Sequence, residues 1–125
     1  MRQLKILYLT QFPQIGGGES ILTSLIEKLD RGRFEPIVIV PKTGQLSKRL
    51  RELTTKIHRL DLPPYLWRTF FVPGLSPTAT YKFYQLAKKI KPNIIHLNHL
   101  TLTFYAGCAA KLLKIPLVAT AHGTW

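Results

Sequence analysis

Two hydrophobic periods alternate along this chain of 125 residues, and that alternation restricts the fold more than any other feature. "LKILYLT" (4–10) is a short apolar run of the kind that forms a buried strand. "ESILTSLIEKLDR" (19–31) then places Ile21, Leu22, Leu25, Ile26 and Leu29 on one helical face, with Thr23, Ser24, Glu27, Lys28 and Asp30 opposite. "FEPIVIVP" (34–41) is β-branched and closes on proline, a second buried strand. "QLSKRLREL" (45–53) is a short basic helix with Leu46, Leu50 and Leu53 along one side. "KIHRLDL" (56–62) alternates as an edge strand does.

The second half repeats the pattern. Ser76-Pro77 has the form of an N-cap followed by proline at the first helical position. The helix it opens stacks Phe83, Leu86, Ala87 and Ile90. "NIIHLNH" (93–99) is a fourth strand. "LTLTFYAGCAAKLLK" (100–114) is an apolar helix with Lys111 and Lys114 near its C-terminus, where the helix dipole favours cations. "PLVATAHG" (116–123) is a fifth strand. Strand and helix in strict turn predict an α/β fold: a doubly wound parallel sheet, strand order 3-2-1-4-5, with helices on both faces.

Ligands of such sheets bind outside the carboxyl ends of the strands, so the residues after each strand are the first candidates. Gly16, Gly17 and Gly18 follow the first, and Lys42 the second. An aromatic stretch, "PPYLWRTFFVPG", follows the third. His96, Asn98 and His99 close the fourth, and His122 and Gly123 the fifth. Glycines between a strand and a helix let backbone N–H groups line a concavity at the helix N-terminus, a place for phosphate; a permissive turn is the alternative. The dinucleotide-binding pattern G-x-G-x-x-G with an acidic residue ending the second strand is absent, as is the P-loop pattern.

Composition narrows the class further. Eighteen Lys and Arg against six Asp and Glu leave a net charge of +12, which biases partners toward phosphates, anionic lipid or nucleic acid. No apolar run reaches the ~18 residues of a membrane span. One cysteine, Cys108, excludes an internal disulfide and fits a reduced, cytoplasmic setting; its alanine neighbours suggest a core position rather than a nucleophile. His58, in mid-strand, reads as structural. His96, His99 and His122 bring no carboxylate or thiolate with them, so no metal is expected.

"IGGGESILTSLIEKLDRGRFEPIVIVP" resembles the G-G-x-E opening, first helix and second strand of family 4 glycosyltransferases of the GT-B type. "KPNIIHLNHLTLTFYAGCAAKLLKIPLVATAHGTW" is similar to their later stretch, in which Asp, two apolar residues and H-x-H precede an apolar helix and a strand ending in H-G. Asn93 stands where the family has Asp, and Asn98 where it has the second His, with His99 adjacent.

The resemblance implies a Rossmann-like domain. Residues 1–125 would be part of the N-terminal, acceptor-side domain, with the C-terminal donor-binding domain absent from this chain and supplied by a longer protein or a separate partner. It implies hexosyl transfer from a nucleotide sugar, with retention and without a metal or other cofactor. His122 would contact the donor sugar or polarise the acceptor side; a strand-end histidine bonded to a nearby carbonyl is the alternative. Gly16, Gly17, Gly18 and Gly123 would approach the donor phosphates, and Glu19 would cap the first helix.

Tyr65, Trp67, Arg68, Phe70 and Phe71, with His96 and His99, are the candidates for the acceptor side. Aromatics beside a basic residue suit a membrane interface or a lipid-linked or cell-envelope glycan acceptor; burial against a second domain is the alternative. Lys48, Arg49 and Arg51, with Lys88, Lys89 and Lys91, would add attraction to anionic lipid at the inner face of the membrane. The competing reading is a non-enzymatic basic module that binds nucleic acid or a partner protein. It finds no recognised DNA- or RNA-binding motif in the sequence.

Overall fold

β1 (Leu4–Leu9) is the centre from which the sheet grows in both directions. It pairs in parallel with β2 (Phe34–Val40) on one side, Leu4 opposite Phe34 through Leu9 opposite Ile39. On the other side it pairs with β4 (Ile94–Leu97), Ile6 opposite Ile94 through Leu9 opposite Leu97. β3 (Lys56–Arg59) flanks β2, and β5 (Leu117–Ala119) flanks β4. The all-parallel order is therefore β3-β2-β1-β4-β5, as the alternating periods require. The computed structural model describes residues 3–10, 17–53, 55–60, 77–98 and 102–119.

Each face of the sheet has its own core. α1 (Gly17–Glu27) and α2 (Gln45–Glu52) cover one face, where Ile6, Tyr8, Val38 and Val40 meet Leu22, Ile26, Leu46 and Leu50. α3 (Pro77–Ile90) and α4 (Thr103–Leu113) cover the other, where Leu7, Leu9, Ile37, Ile39, Ile95 and Leu97 meet Phe83, Ala87 and the alanines of α4. The even–odd split follows from the two-residue period of a strand. β2 is buried along five consecutive residues and β3 on none of its four, the signatures of a central and an edge strand. Pro36 is tolerated in β2 because alternate residues bond alternate neighbours. The carbonyls of Arg33 and Ile39 face β1 and that of Val40 faces β3. This puts Pro36 on the β3 side, one residue before that pairing begins at Ile37.

Two expectations need correction. α1 does not bury the whole apolar stripe. Leu22 and Ile26 are buried, together with Glu19 and Thr23, whereas Ile21 is 57% exposed and Leu25 42% exposed. The stripe is wider than the area of sheet available to it, and the helix is rotated so that only one half of the stripe faces inward. Thr23 satisfies its hydroxyl within the helix, donating to the Ser20 carbonyl at 3.0 Å. Cys108 is exposed, not in the core. Ala106, Ala109 and Ala110 take the inward positions of α4, and a residue two places from 106 points about 200° around the helix.

Local chemistry explains where elements stop. α1 ends at Glu27, short of the expected residue 31, because the chain folds around Asp30. The Asp30 carboxylate accepts from Gly32 N–H at 3.0 Å, and its carbonyl accepts from Arg33 and Phe34. Lys91 and Lys114 follow α3 and α4 with φ of 56°, the left-handed conformation of a C-terminal cap. Asn93 opens β4 by accepting the Lys5 N–H on its side-chain oxygen at 2.8 Å. Asp could accept that bond equally well, so Asn93 in place of the family's Asp keeps the start of the β1–β4 ladder.

Candidate functional site

All five strands point their carboxyl ends at one edge, and all four helices begin there. Connections from β1 and β2 pass over one face, those from β3 and β4 over the other. The two sets diverge between β1 and β4, which opens a crevice at that point of the edge. Thr10 and Asn98 sit there, one residue beyond their strands. Thr10 is fully buried and donates both its N–H and its hydroxyl to the Ile39 carbonyl, at 3.1 and 2.9 Å. Asn98 is also buried, and its N–H donates to Leu9 at 3.0 Å, carrying the β1–β4 ladder one step past β4. The crevice therefore has a polar, rigidly bonded floor.

One layer below, His96 of β4 stands opposite Tyr8 of β1 on the α1 face. Their ring centroids are 5.2 Å apart and the planes are tilted by 35°. Burial raises the Tyr8 hydroxyl above the usual tyrosine range, so it stays a neutral phenol at physiological pH. The imidazole is half-buried against it. The sequence singles out His96, whereas Tyr8 lies within an apolar strand run, and the β1–β4 register alone reveals the pair.

α1 begins at this same edge, after β1. Gly17 and Gly18 are its first two residues, and the first N–H groups of a helix have no acceptor inside it. Glu19 is in the same turn and 3% exposed, so the positive end of the helix dipole already has a carboxylate beside it. Individual N–H groups, rather than the dipole as a whole, are what this terminus can offer an anion.

Gly16, Tyr65, Trp67, Arg68, Phe70, Phe71, His99, His122 and Gly123 lie outside the described residues. Their attachment points are nonetheless on the same edge. β5 is described to Ala119, three positions before His122, and the aromatic stretch is flanked by Leu60 after β3 and Pro77 at the start of α3.

The basic clusters are placed differently. Lys88, Lys89 and Lys91 are at the far end of α3, about 20 Å from its N-terminus by helical rise. They belong to the edge opposite the crevice. Lys48, Arg49 and Arg51 are on α2, across the sheet from α3. Arg49 is moreover paired with Glu27 and Glu52, at 3.4 and 3.2 Å. The two clusters thus do not form one surface with each other. Among the described residues, no helix is long and apolar enough to cross a membrane.

Comparison with known proteins places this architecture. The family model described as Glycosyltransferase Family 4 matches residues 15–125. A crystal structure of Alr3699/HepE from Anabaena in complex with UDP and glucose superposes with a TM-score of 0.69 at 20% identity, over 94% of this chain and 29% of that one. A glycosyltransferase from Rickettsia africae gives 0.76 at 18% identity, over 100% and 31%. MurG from Acinetobacter baumannii gives 0.68 at 16% identity, over 98% and 37%. The chain spans well under half the length of each. No curated protein matches.

Proposed function

The chain belongs to glycosyltransferase family 4, and we propose that it forms the acceptor-side half of an enzyme that transfers a hexosyl group from a nucleotide sugar to a lipid-linked or cell-envelope glycan. The observation that carries this reading is the sheet order, which opens a crevice between β1 and β4 at the edge where α1 begins with Gly17 and Gly18. Neighbours of the same fold are described with UDP and glucose, and the missing length of those neighbours leaves room for a donor-binding domain across the cleft.

In this reading the bond from the sugar's anomeric carbon to the diphosphate oxygen breaks. A bond from an acceptor hydroxyl oxygen to that carbon forms. Retention requires the acceptor to enter on the face the diphosphate leaves, so the departing phosphate oxygen is the nearest base for the hydroxyl proton. The backbone N–H groups of Gly17 and Gly18, with Gly16 and Gly123 beside them, stabilise the charge that develops on the diphosphate. Donors aimed at developing charge are a large catalytic term, and with two glycines no Cβ blocks the approach. His122 holds the donor sugar. No metal or cofactor is needed for these steps.

Acceptor selection falls to His96 of β4 and to the residues after β3 and β4: Tyr65, Trp67, Arg68, Phe70, Phe71 and His99. A lipid-linked acceptor fits their mixture of aromatic and cationic groups. Attachment to a membrane, where it occurs, runs through this edge, since the lysines at the end of α3 face the other way.

The test is made in the complete enzyme, with turnover of a nucleotide sugar as the readout. Gly17→Val and His122→Ala are each expected to lower kcat/KM by about a hundredfold or more, the loss typical of one transition-state donor. Normal turnover in both variants would refute the site.

A further inference from the structure

A second site lies outside the crevice, along the edge of the sheet. A cavity of about 400 Å³ lies between the exposed sides of α2 and β3. One wall is the strand stripe Thr55, Ile57 and Arg59, alternate residues that share a face. The other is the helix stripe Ser47 and Arg51, one turn apart. Thr43, just before α2, closes the upper end.

The chemistry of this lining is one-sided. Among the described residues it holds two guanidinium groups and three hydroxyls but no carboxylate. Of the other cations nearby, Arg49 is paired with Glu27 and Glu52 and Lys56 with Glu35 at 2.5 Å, while Arg31 donates to the Leu53 carbonyl and the Thr55 hydroxyl. Among the described residues, Arg51 and Arg59 meet no acid. Arg59 gives one N–H to the Thr43 hydroxyl at 3.2 Å and keeps its other donors. Thr55 is buried; its hydroxyl accepts from Arg31 at 3.4 Å, leaving its own proton to donate. Arg51 sits near the end of α2, but side chains on a helix lean toward its N-terminus, which carries this guanidinium toward Arg59.

We propose that the α2–β3 cavity binds a phosphate monoester carried on a small organic group, held by Arg51 and Arg59 with the Thr43 hydroxyl. Two forked cations and a hydroxyl match a dianion with three acceptor oxygens better than a lone carboxylate, which one arginine would satisfy. The cavity is also far larger than a bare phosphate and falls in the range of small-molecule sites, so it has room for part of the ligand beyond the phosphate. The site is separate from the crevice, and neither glycine terminus nor imidazole takes part.

The experiment titrates the full chain with glycerol phosphate by calorimetry, at about 0.15 M salt to screen diffuse attraction. Saturable one-to-one binding is expected. Arg51→Gln and Arg59→Gln should each weaken it about tenfold or more. Arg51→Lys, which keeps the charge and loses the fork, should weaken it less. Both side chains are exposed, and circular dichroism confirms that the variants fold. Lys88→Gln removes the same charge from the opposite face and should change nothing. A parallel arm measures capture on phosphatidylcholine vesicles containing phosphatidic acid. Capture lost in the arginine variants assigns the phosphate to a lipid headgroup; capture unchanged, with glycerol phosphate binding lost, assigns it to a free ester. The inference is overturned by the absence of binding in both arms, or by equal weakening in Lys88→Gln. No sugar donor is present, so the result stands apart from the transferase reading.

Discussion

The rotation of α1 is open to a sharp test, because the apolar pattern and the structure disagree about which side chains matter. By pattern, Ile21, Leu22, Leu25 and Ile26 are equivalent. In the structure Leu22 is 2% and Ile26 0% exposed, against 57% for Ile21 and 42% for Leu25. Truncating Leu or Ile to Ala removes three carbons, about 2.4 kcal/mol of transfer free energy at full burial. For Leu22 and Ile26 a cavity follows over Tyr8 and Val38, bringing the cost to about 2–5 kcal/mol each. For Leu25 only about half the transfer applies and water fills the gap, so about 1 kcal/mol is expected, and less for Ile21. Urea unfolding followed by circular dichroism gives the four values from the midpoint at constant m. The larger losses are a sizeable part of a typical domain's 5–15 kcal/mol, so Ile26→Val, expected near 1 kcal/mol, keeps the series measurable. A cost at Ile21 or Leu25 equal to that at Ile26 would mean that α1 buries a different face.

Two further outcomes follow from single residues. Burial raises the folded-state pKa of Tyr8 above its unfolded value near 10. Above that pH the unfolded chain therefore releases its proton first, and stability present below pH ~10 is lost as pH climbs through the folded value. Tyr8→Phe should flatten this alkaline decline in urea midpoints between about pH 9 and 11 relative to the wild type, and an unchanged slope would contradict it. Lys114 holds φ of 56° at the end of α4, a conformation that costs a side chain roughly 1 kcal/mol. Lys114→Gly should raise the thermal midpoint or leave it level despite the added unfolded-state entropy; a clear drop would show that the lysine side chain itself anchors the helix.

Membership of family 4 and the candidate crevice were legible at different depths. The residues following each strand could be named in advance, since a parallel sheet must send all its strand ends to one edge. The Tyr8–His96 pair could not, because its members are 88 positions apart and meet only through the β1–β4 register. Arg51 and Arg59 were hidden for the same reason. The first belonged to a run of basic residues on a helix, the second to an alternating edge strand, and neither pattern shows that a cavity lies between α2 and β3.

The sequence by itself determined the succession of strands and helices, their parallel sense, the order 3-2-1-4-5 and the edge at which the strands end. Periodicity and chain connectivity are local properties, and the handedness of the crossovers leaves little choice once they are set. Only the tertiary structure decided that α1 turns Ile21 and Leu25 outward, that Cys108 faces solvent, and that the lysines of α3 lie at the far edge. A period defines how wide an apolar stripe is, but the partner surface selects which part of it is covered. Charges spaced along the chain become one patch, or several, only when the helices that bear them are placed.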